Sequence, residues 1–485
     1  MSFEDKPFLI LLLVTYLLWL LLRKNEPRAV LLLFTASLLF YGLNHWKLLP
    51  ILSAYCLVNW LIGCWIPKSN QPRGVLTFGI VFNLSILCFY KYTPLLLHSI
   101  RDWFDIQILS ESRLETWAIP FGISFYAFTG IAYMVDVFRG TTPAEKSLTR
   151  YTLSAIFFPH LVAGPILRAN EFLTSMRPGQ MPQEPQAPME AFWLLARGYF
   201  KKVVIADRLA LMIDPFFAHL SDSSTAGVWS LPFVYLYALQ IYFDFSAYTD
   251  IARGLGMLFG YRWPDNFNLP YLATNIADFW RRWHITLSRF LRDYLYIPLG
   301  GNRKGWFRTN LNLMITMLLG GLWHGASWSF MLWGGLHGLF LILHRIWSES
   351  LLGKKVTSLE GLPRWIWTGL SILLTFHCVC LAWCFFRLTL LKDSVICVEK
   401  WFVFDTDKMG SDAILDASLW AALIGYGLMV LLIATVTRWS ERLSSSSTDS
   451  SLLTGFQWGV RMAMLLLALV LSPGGTSSPF IYFQF

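Results

Sequence analysis

Long apolar runs dominate the pattern of hydrophobic and polar positions along the chain. They cover residues 8–22, 29–40, 48–66, 75–97, 117–137, 232–259, 311–343, 365–386, 419–436 and 456–471. Several reach the roughly 20 residues that a helix needs to cross the hydrocarbon core of a bilayer. Because apolar residues follow one another rather than alternate, the pattern favours helices over the strands of a membrane barrel. It predicts an all-α, polytopic membrane protein with roughly 10–12 transmembrane helices.

The stretch 151–230 departs from this pattern because its apolar pieces are short and are interrupted by Pro159, Pro165 and Pro215. Such pieces are typical of re-entrant or interfacial helices. We predict one integral-membrane domain over 1–485. It would comprise N-terminal helices in 1–150, a motif-bearing core in 151–347, and C-terminal helices with an outside tail in 348–485.

Composition agrees with a membrane protein, since only 14% of the 485 residues are charged, against about 25% in soluble proteins. Basic residues cluster in the loops 23–28, 68–73, 139–150, 281–308, 354–364 and 438–442, whereas acidic residues dominate 98–116 and 388–416. By the positive-inside rule this alternation places both termini outside. The net charge of +9 is then explained by orientation and by anionic membrane lipids rather than by nucleic acid.

His324 is the first candidate for chemistry because it follows Gly-Gly-Leu-Trp inside an apolar run. An ionisable residue at membrane depth indicates a functional site, and imidazole is suited to general-base catalysis near neutral pH. The neighbouring glycines allow close helix packing or the approach of a substrate. A histidine that only packs against a neighbouring helix is the alternative.

His284 is the second candidate and ends the sequence Asp-Phe-Trp-Arg-Arg-Trp-His at 278–284. On a helix, Asp278 would pair with Arg281 and Arg282 at spacings of three and four residues. The arginines could bind a phosphate-bearing donor at a cytoplasmic vestibule, or simply anchor an interfacial helix. No set of Cys, His, Asp and Glu at ligand spacing accompanies the histidines, so we predict no metal site.

Two carboxylates, Asp244 and Asp250, lie in the apolar run 232–259. They could satisfy helix ends, pair with arginines, or take part in the site. Asn266 and Asn268 follow in the next loop and suit caps or turns.

The order of these motifs resembles that of the membrane-bound O-acyltransferases. The matching elements are Phe-Pro-His-Leu-Val-Ala-Gly-Pro at 158–165, the segment 242–250, Asn-Phe-Asn-Leu-Pro-Tyr at 266–271, the segment 278–284, Leu-Arg-Asp-Tyr-Leu-Tyr-Ile-Pro-Leu-Gly-Gly-Asn-Arg at 291–303, and Trp-His-Gly at 323–325. The chain looks most similar to the bacterial branch that contains alginate O-acetylase and the D-alanyl transferase of teichoic acids. At the first element the branch more often has Gln where this chain has His160.

The resemblance implies a tunnel through a ring of helices in the bacterial cytoplasmic membrane, where a thioester donor meets an acceptor from outside. It implies that His324 is the catalytic histidine and that His284 is the second motif histidine, with Asp278 or Asp244 orienting one of them. Arg281, Arg282, Arg303 and Lys304 would line the donor entrance. No cofactor stays bound; acetyl-CoA or an acyl-carrier protein is the implied donor. The implied partners are membrane lipids, an exported polysaccharide and an outer-face acetyltransferase or other polymer-modifying protein.

The chain ends in Ser-Pro-Phe-Ile-Tyr-Phe-Gln-Phe at 478–485, and we expect Tyr482 to act as a covalent acyl relay. A phenol becomes a nucleophile once a base takes its proton, and His324 could serve as that base. A tail that merely anchors at the membrane interface is the alternative. A transporter or channel would also place His, Asp and Arg at membrane depth, and it remains the competing class of protein.

Overall fold

All regular secondary structure in the part that the structure, a computed structural model, describes is helical. This part comprises residues 3, 5–110, 113–114, 117, 119–161, 164–220 and 230–402, with the single positions 425, 459, 462 and 480. The helices are α1 (Lys6–Leu22), α2 (Glu26–His45), α3 (Leu49–Trp65), α4 (Pro72–Leu87), α5 (Thr93–Phe104), α6 (Ile123–Phe138), α7 (Leu148–Ile156), α8 (Ala169–Phe172), α9 (Pro188–Tyr199), α10 (Asp207–Ala218), α11 (Ser230–Leu258), α12 (Ile276–Arg282), α13 (Ile285–Leu291), α14 (Gly305–His324), α15 (Trp328–Glu349), α16 (Leu351–Thr357), α17 (Gly361–Arg387) and α18 (Leu391–Glu399).

Four helical stretches of the described residues are long and apolar enough to cross a bilayer: Glu26–Lys68, Pro72–Phe104, Trp328–Glu349 and Gly361–Arg387. Two shorter helices, α1 and α6, are also apolar. The prediction of an all-α, polytopic membrane protein is confirmed. The total number of crossings and the outside position of both termini stay predictions.

Sequence signals at helix starts explain where several helices begin. Each of the first five helices has a proline in its first turn, where the missing N–H costs no hydrogen bond. Near the motif histidines, the side chain of Asn275 caps α12 and that of Ser327 caps α15. These caps accept the first backbone N–H groups of the helices and so fix where the site-bearing helices begin.

The short helices expected in 151–230 are present as α7 through α10. A π-helical segment, Phe200–Ala206, joins α9 to α10, and α10 contains Pro215. A π-helix widens the turn by one residue and is frequent at functional sites. The interruption of the apolar pattern is therefore confirmed, whereas a re-entrant or interfacial position of these helices stays a prediction.

The chain divides into two compact units. The first comprises Met1–Leu194 and Ile251–Asp265, and the second comprises Leu195–Asp250 and Asn266–Phe485. The motif-bearing segment predicted at 151–347 thus contributes to both units, and the assignment of a single domain stays a prediction. Both motif histidines belong to the second unit.

The first unit has a polar contact and an aromatic cluster inside it. Asn83 Nδ2 donates to Asn59 Oδ1 over 2.7 Å between α4 and α3, a bond that helps join helices where water is scarce. His160 is buried, and its ring centre lies 5.4 Å from those of Phe172 and Trp263. Packing against these aromatic rings accounts for the position of the His160 imidazole.

Candidate active site

Glycines hold α14 and α15 together and thereby fix the position of His324, the last residue of α14. A Cβ atom at Gly321 would overlap the carbonyl oxygen of Phe330, and one at Gly334 would overlap that of Met317. Any larger side chain would push the two helices apart. The glycines that sequence analysis associated with close helix approach are thus confirmed in that role.

The His324 ring lies in an aromatic pocket. It is 5% exposed, and its ring centre lies 4.9 Å from Trp323, 5.0 Å from Trp333 and 5.2 Å from Phe386. All three rings stand nearly perpendicular to the imidazole. Rings packed in this way restrict rotation of the imidazole and exclude water, which strengthens electrostatic interactions at the site.

His284 lies at the junction between α12 and α13 and is fully buried. Its backbone has φ +42° and ψ +55°, the left-handed region that residues other than glycine rarely adopt. Such a conformation costs roughly 1–3 kcal/mol and persists only where surrounding contacts enforce it. The strain marks this junction as a site whose geometry is imposed by its neighbours.

Asn266 provides the enforcing contacts. Its backbone oxygen accepts from the Ile285 N–H over 3.0 Å. Its side-chain Oδ1 accepts from the backbone N–H and the hydroxyl of Thr286 over 3.1 and 2.9 Å. The same Oδ1 lies 3.1 Å from Nδ1 of His284. One buried asparagine therefore holds both the backbone and the ring of this histidine.

The fold brings the two motif histidines together although 40 positions separate them. Their ring centres lie 6.4 Å apart, and Trp323 lies beside both, with its centre 6.1 Å from that of His284. At this separation one small group between the rings is within roughly hydrogen-bonding reach of each. The arrangement suits the transfer of a proton from a hydroxyl held at that point.

His284 is a neutral base in this environment. It lies in the turn between two seven-residue helices, outside the stretches long enough to span a bilayer, and burial lowers the pKa of its imidazole to about 3. The cationic form loses hydration on burial, which disfavours it. The ring therefore stays uncharged through the physiological pH range.

Asp278 pairs with the arginines as predicted. It lies in the first turn of α12, where Asn275 Oδ1 accepts from its backbone N–H over 2.8 Å. Its carboxylate bonds Arg281 at 3.2 Å and Arg282 at 2.9 Å. The spacings of three and four residues are thus confirmed, and the carboxylate is engaged by the arginines of its own helix.

Asp244 lies on α11 and forms a buried ion pair. Lys202 Nζ lies 3.0 Å from an Asp244 oxygen and 2.8 Å from an oxygen of Asp207. A second buried cluster joins Asp250 to Arg197 at 2.6 Å and to Lys201 at 2.7 Å. The carboxylates of α11 therefore pair with cations of the segment 197–202, which sequence analysis did not single out.

Arg303 and Lys304 are exposed and stand at the start of α14, where Lys304 is the residue before the first turn. His337, on α15, is fully buried beside Phe279, with the rings stacked at 5.9 Å. Among the described residues, no group of three or more His, Cys, Asp and Glu side chains is placed to hold a metal ion.

Tyr482 lies outside the described residues, but Phe480, two positions before it, is described. Phe480 is fully buried and stacks on Tyr248 with ring centres 3.9 Å apart. It also lies 5.9 Å from Phe245, whose ring centre is 4.7 Å from that of His284. Phe480 is therefore separated from the His284 ring by the ring of Phe245.

Asn266 and Phe245 are two site residues whose roles the sequence did not reveal. Asn266 was predicted only as a cap or turn residue, because no local spacing links it to a histidine 18 positions later. Phe245 lies in an apolar run in which one aromatic residue looks like another. Only the folded chain shows that these two side chains contact His284.

The sequence pattern of the membrane-bound O-acyltransferase family matches residues 147–386, a stretch that includes both histidines. The chain is 35% identical to the probable alginate O-acetylase AlgI of Azotobacter vinelandii over the full length of both proteins. It is 36% identical to the peptidoglycan O-acetyltransferase of Helicobacter pylori, over 75% of the chain and 72% of that protein. The teichoic acid D-alanyltransferase of Bacillus subtilis is 27% identical, over 53% of the chain and 66% of that protein.

Proposed function

Because the chain belongs to the membrane-bound O-acyltransferase family, we propose that it moves an acetyl group from a cytoplasmic thioester donor to an exported polysaccharide. It is a multi-pass membrane O-acyltransferase. An alginate-like polymer is the acceptor that the full-length relative favours. Peptidoglycan and teichoic acid are the alternatives favoured by the other two relatives.

The buried pair of imidazoles is the observation that carries this proposal. Transfer begins when the oxygen of the first acceptor hydroxyl, that of Tyr482 in the relay described below, attacks the thioester carbonyl carbon, and the hydroxyl proton passes to His324 as the C–O bond forms. The C–S bond then breaks, and the proton returns to the sulfur of the departing thiolate. A base beside the hydroxyl and a dry aromatic surrounding both favour this sequence.

The basic segment supports a cytoplasmic donor. Arg281 is exposed while bonded to Asp278, and Arg303 and Lys304 are exposed as well. Guanidinium and ammonium groups bind phosphate through charge-assisted hydrogen bonds. Both acetyl-CoA and the pantetheine arm of a carrier protein bear phosphate, so either donor fits the entrance. The inner membrane of a bacterium, with both termini outside, is the location that we propose.

The position of Phe480 supports a role for the tail. A residue spans at most about 3.6 Å, so the two residues from Phe480 to Tyr482 make a short enough stretch of chain for the relay that we propose. Tyr482 would receive the acetyl group as a phenyl ester, with its proton taken by His324. It would then pass the group to a nucleophile of an outer-face partner enzyme, and the departing phenolate would take up the proton that this nucleophile gives up.

Replacing His324 by alanine tests the proposal. We expect transfer from radiolabelled acetyl-CoA, measured in membrane vesicles, to fall about 10²–10⁴-fold, the range for loss of a general base. His344→Ala is the matched control, because His344 lies on α15 outside the pair and is only half-buried. Near-normal transfer by His324→Ala, at equal protein in the membrane, would reject the catalytic assignment.

A further inference from the structure

The bonds around Asn266 determine which nitrogen of His284 carries the proton. Thr286 N–H can only donate, so the atom that it contacts at 3.1 Å must be the amide oxygen of Asn266. An amide oxygen has no proton to give. His284 Nδ1, 3.1 Å from that same oxygen, must therefore be the protonated nitrogen.

We infer that Asn266 is a positioning residue that locks His284 in its Nδ1–H tautomer, so that Nε2 presents the basic lone pair. The inference rests on the proposed function, in which His284 belongs to the transfer site. It assigns a second hydrogen-bond acceptor to that site beside His324. The acceptor hydroxyl would then be oriented by one imidazole while the other takes its proton.

Asn266 fixes the position of the His284 ring without stabilising its charged form. Asn266 is 1% exposed, and the same residue fixes the strained His284 backbone through the bond from Ile285 N–H. An aspartate in this place would accept the same three bonds but would stabilise the imidazolium. An amide holds the ring just as firmly while leaving it uncharged, as a hydrogen-bond acceptor for a hydroxyl requires.

The titratable and charged groups on the elements around His284 have other partners or face its ring from other directions, so Asn266 is the residue that holds Nδ1. The titratable ring in contact with it is that of His324, on α14. On α11, Phe245 faces the ring, while Asp244 beside it forms the ion pair with Lys202. On α12, Asp278 is bonded to Arg281 and Arg282.

Asn266→Asp tests the lock through the pH dependence of kcat/KM. The new carboxylate would raise the pKa of His284, because an anion beside Nδ1–H favours the charged ring, by about 1–3 units for a close pair. The ring must be neutral to act, so an acid limb due to His284 should appear about 1–3 units above the pKa near 3 of the wild-type ring. Coenzyme A release from acetyl-CoA in vesicles measures the rate.

Asn268→Asp is the matched control because it makes the same change at an exposed side chain two residues away. It should keep the wild-type profile. Asn266→Leu should lower kcat about tenfold or more without moving the acid limb upward, since no charge is introduced. An Asn266→Asp enzyme with the wild-type profile, or an Asn266→Leu enzyme with wild-type kcat, would overturn the inference.

A third variant tests the role of Asn266 if neither protein substituted at that position is inserted into the membrane. Thr286→Val keeps the volume and removes the hydroxyl that donates to the Asn266 oxygen over 2.9 Å. It should lower kcat several-fold with little change in KM, and an unchanged kcat would count against the lock. Absence of transfer in the wild type itself would instead reject the proposed function.

Discussion

The histidine pair and the basic segment differ in how the protein holds their side chains. His284 and His324 are both buried and surrounded by aromatic rings, and one of them sits on a strained backbone fixed by Asn266. Arg303 and Lys304 are exposed. The first region is suited to chemistry that requires fixed distances, and the second is suited to capturing a charged molecule.

This difference determines the size of the effects that substitutions should have. In a buried site with little water, electrostatic interactions are strong and misplacing one group is costly. At an exposed surface, salt screens each charge and neighbouring cations share the work of binding. Single changes near the histidines should therefore act on kcat, whereas changes in the basic segment should act on the donor KM.

The tail offers the largest effect after loss of His324 itself. Tyr482→Phe retains the aromatic ring and removes only the hydroxyl, so a tail that merely anchors would be unaffected. We expect acetylated polymer in cells to fall to the level of cells that lack the protein. Mass spectrometry of the C-terminal peptide should show an acetyl adduct on Tyr482 in the wild type and none in His324→Ala.

Tyr16→Phe is the control for Tyr482→Phe. It removes the same hydroxyl from a tyrosine on α1 that packs beside Trp19. It should leave polymer acetylation unchanged. Full acetylation by Tyr482→Phe would show that the acetyl group passes directly to the acceptor without the relay.

The basic segment should respond more weakly. Replacing Arg281 and Arg282 together by glutamine removes two cations next to Asp278, which then also loses its ion pairs. We expect the KM for acetyl-CoA to rise about tenfold, with kcat nearly constant, because charge-assisted bonds from exposed and half-exposed side chains are each worth little. Initial rates in inside-out vesicles measure both constants.

Arg308→Gln provides the comparison, since it removes one exposed cation from α14 that is not among the proposed donor-entrance residues. It should change the KM less than twofold. The wild-type KM should also rise with salt, as expected for screened charges. A double variant at 281 and 282 with a normal KM and a lowered kcat would place these arginines in the transfer step instead.

Much of the fold could be predicted from the sequence because the signal for a membrane helix lies within one continuous stretch of residues. Apolar runs predicted helices such as α15 and α17, and the spacing of Asp278 to Arg281 and Arg282 predicted their ion pairs, since both signals lie within a few turns of chain. Trp-His-Gly at 323–325 stood out because an ionisable residue is rare in such a run.

The contacts between distant segments could not be predicted in the same way. Nothing in the spacing of Asn266 and His284 indicates a hydrogen bond across 18 positions, and the pairing of Asp244 with Lys202 crosses 42. Such contacts depend on which helix faces pack together. The sequence therefore predicted the chemical groups of the site, while the fold was needed to show which of them touch.

A cysteine at position 303 should have the smallest effect on activity, and labelling it tests the orientation of the protein in the membrane. Arg303→Cys lies at an exposed position before α14, so transfer at saturating acetyl-CoA should remain within about twofold of wild type, since neighbouring cations share donor binding. In intact cells, only a thiol reagent that crosses the membrane should modify this cysteine, because the positive-inside rule places the segment in the cytoplasm.

The seven natural cysteines are free thiols, so the parent protein labelled in parallel provides the background. Cys88 is already exposed and would be replaced by serine in both proteins. Modification of Arg303→Cys by an impermeant reagent added outside would reverse the orientation. The donor would then have to enter from outside and the acceptor from the cytoplasm, the reverse of what we propose, even if the variant is fully active.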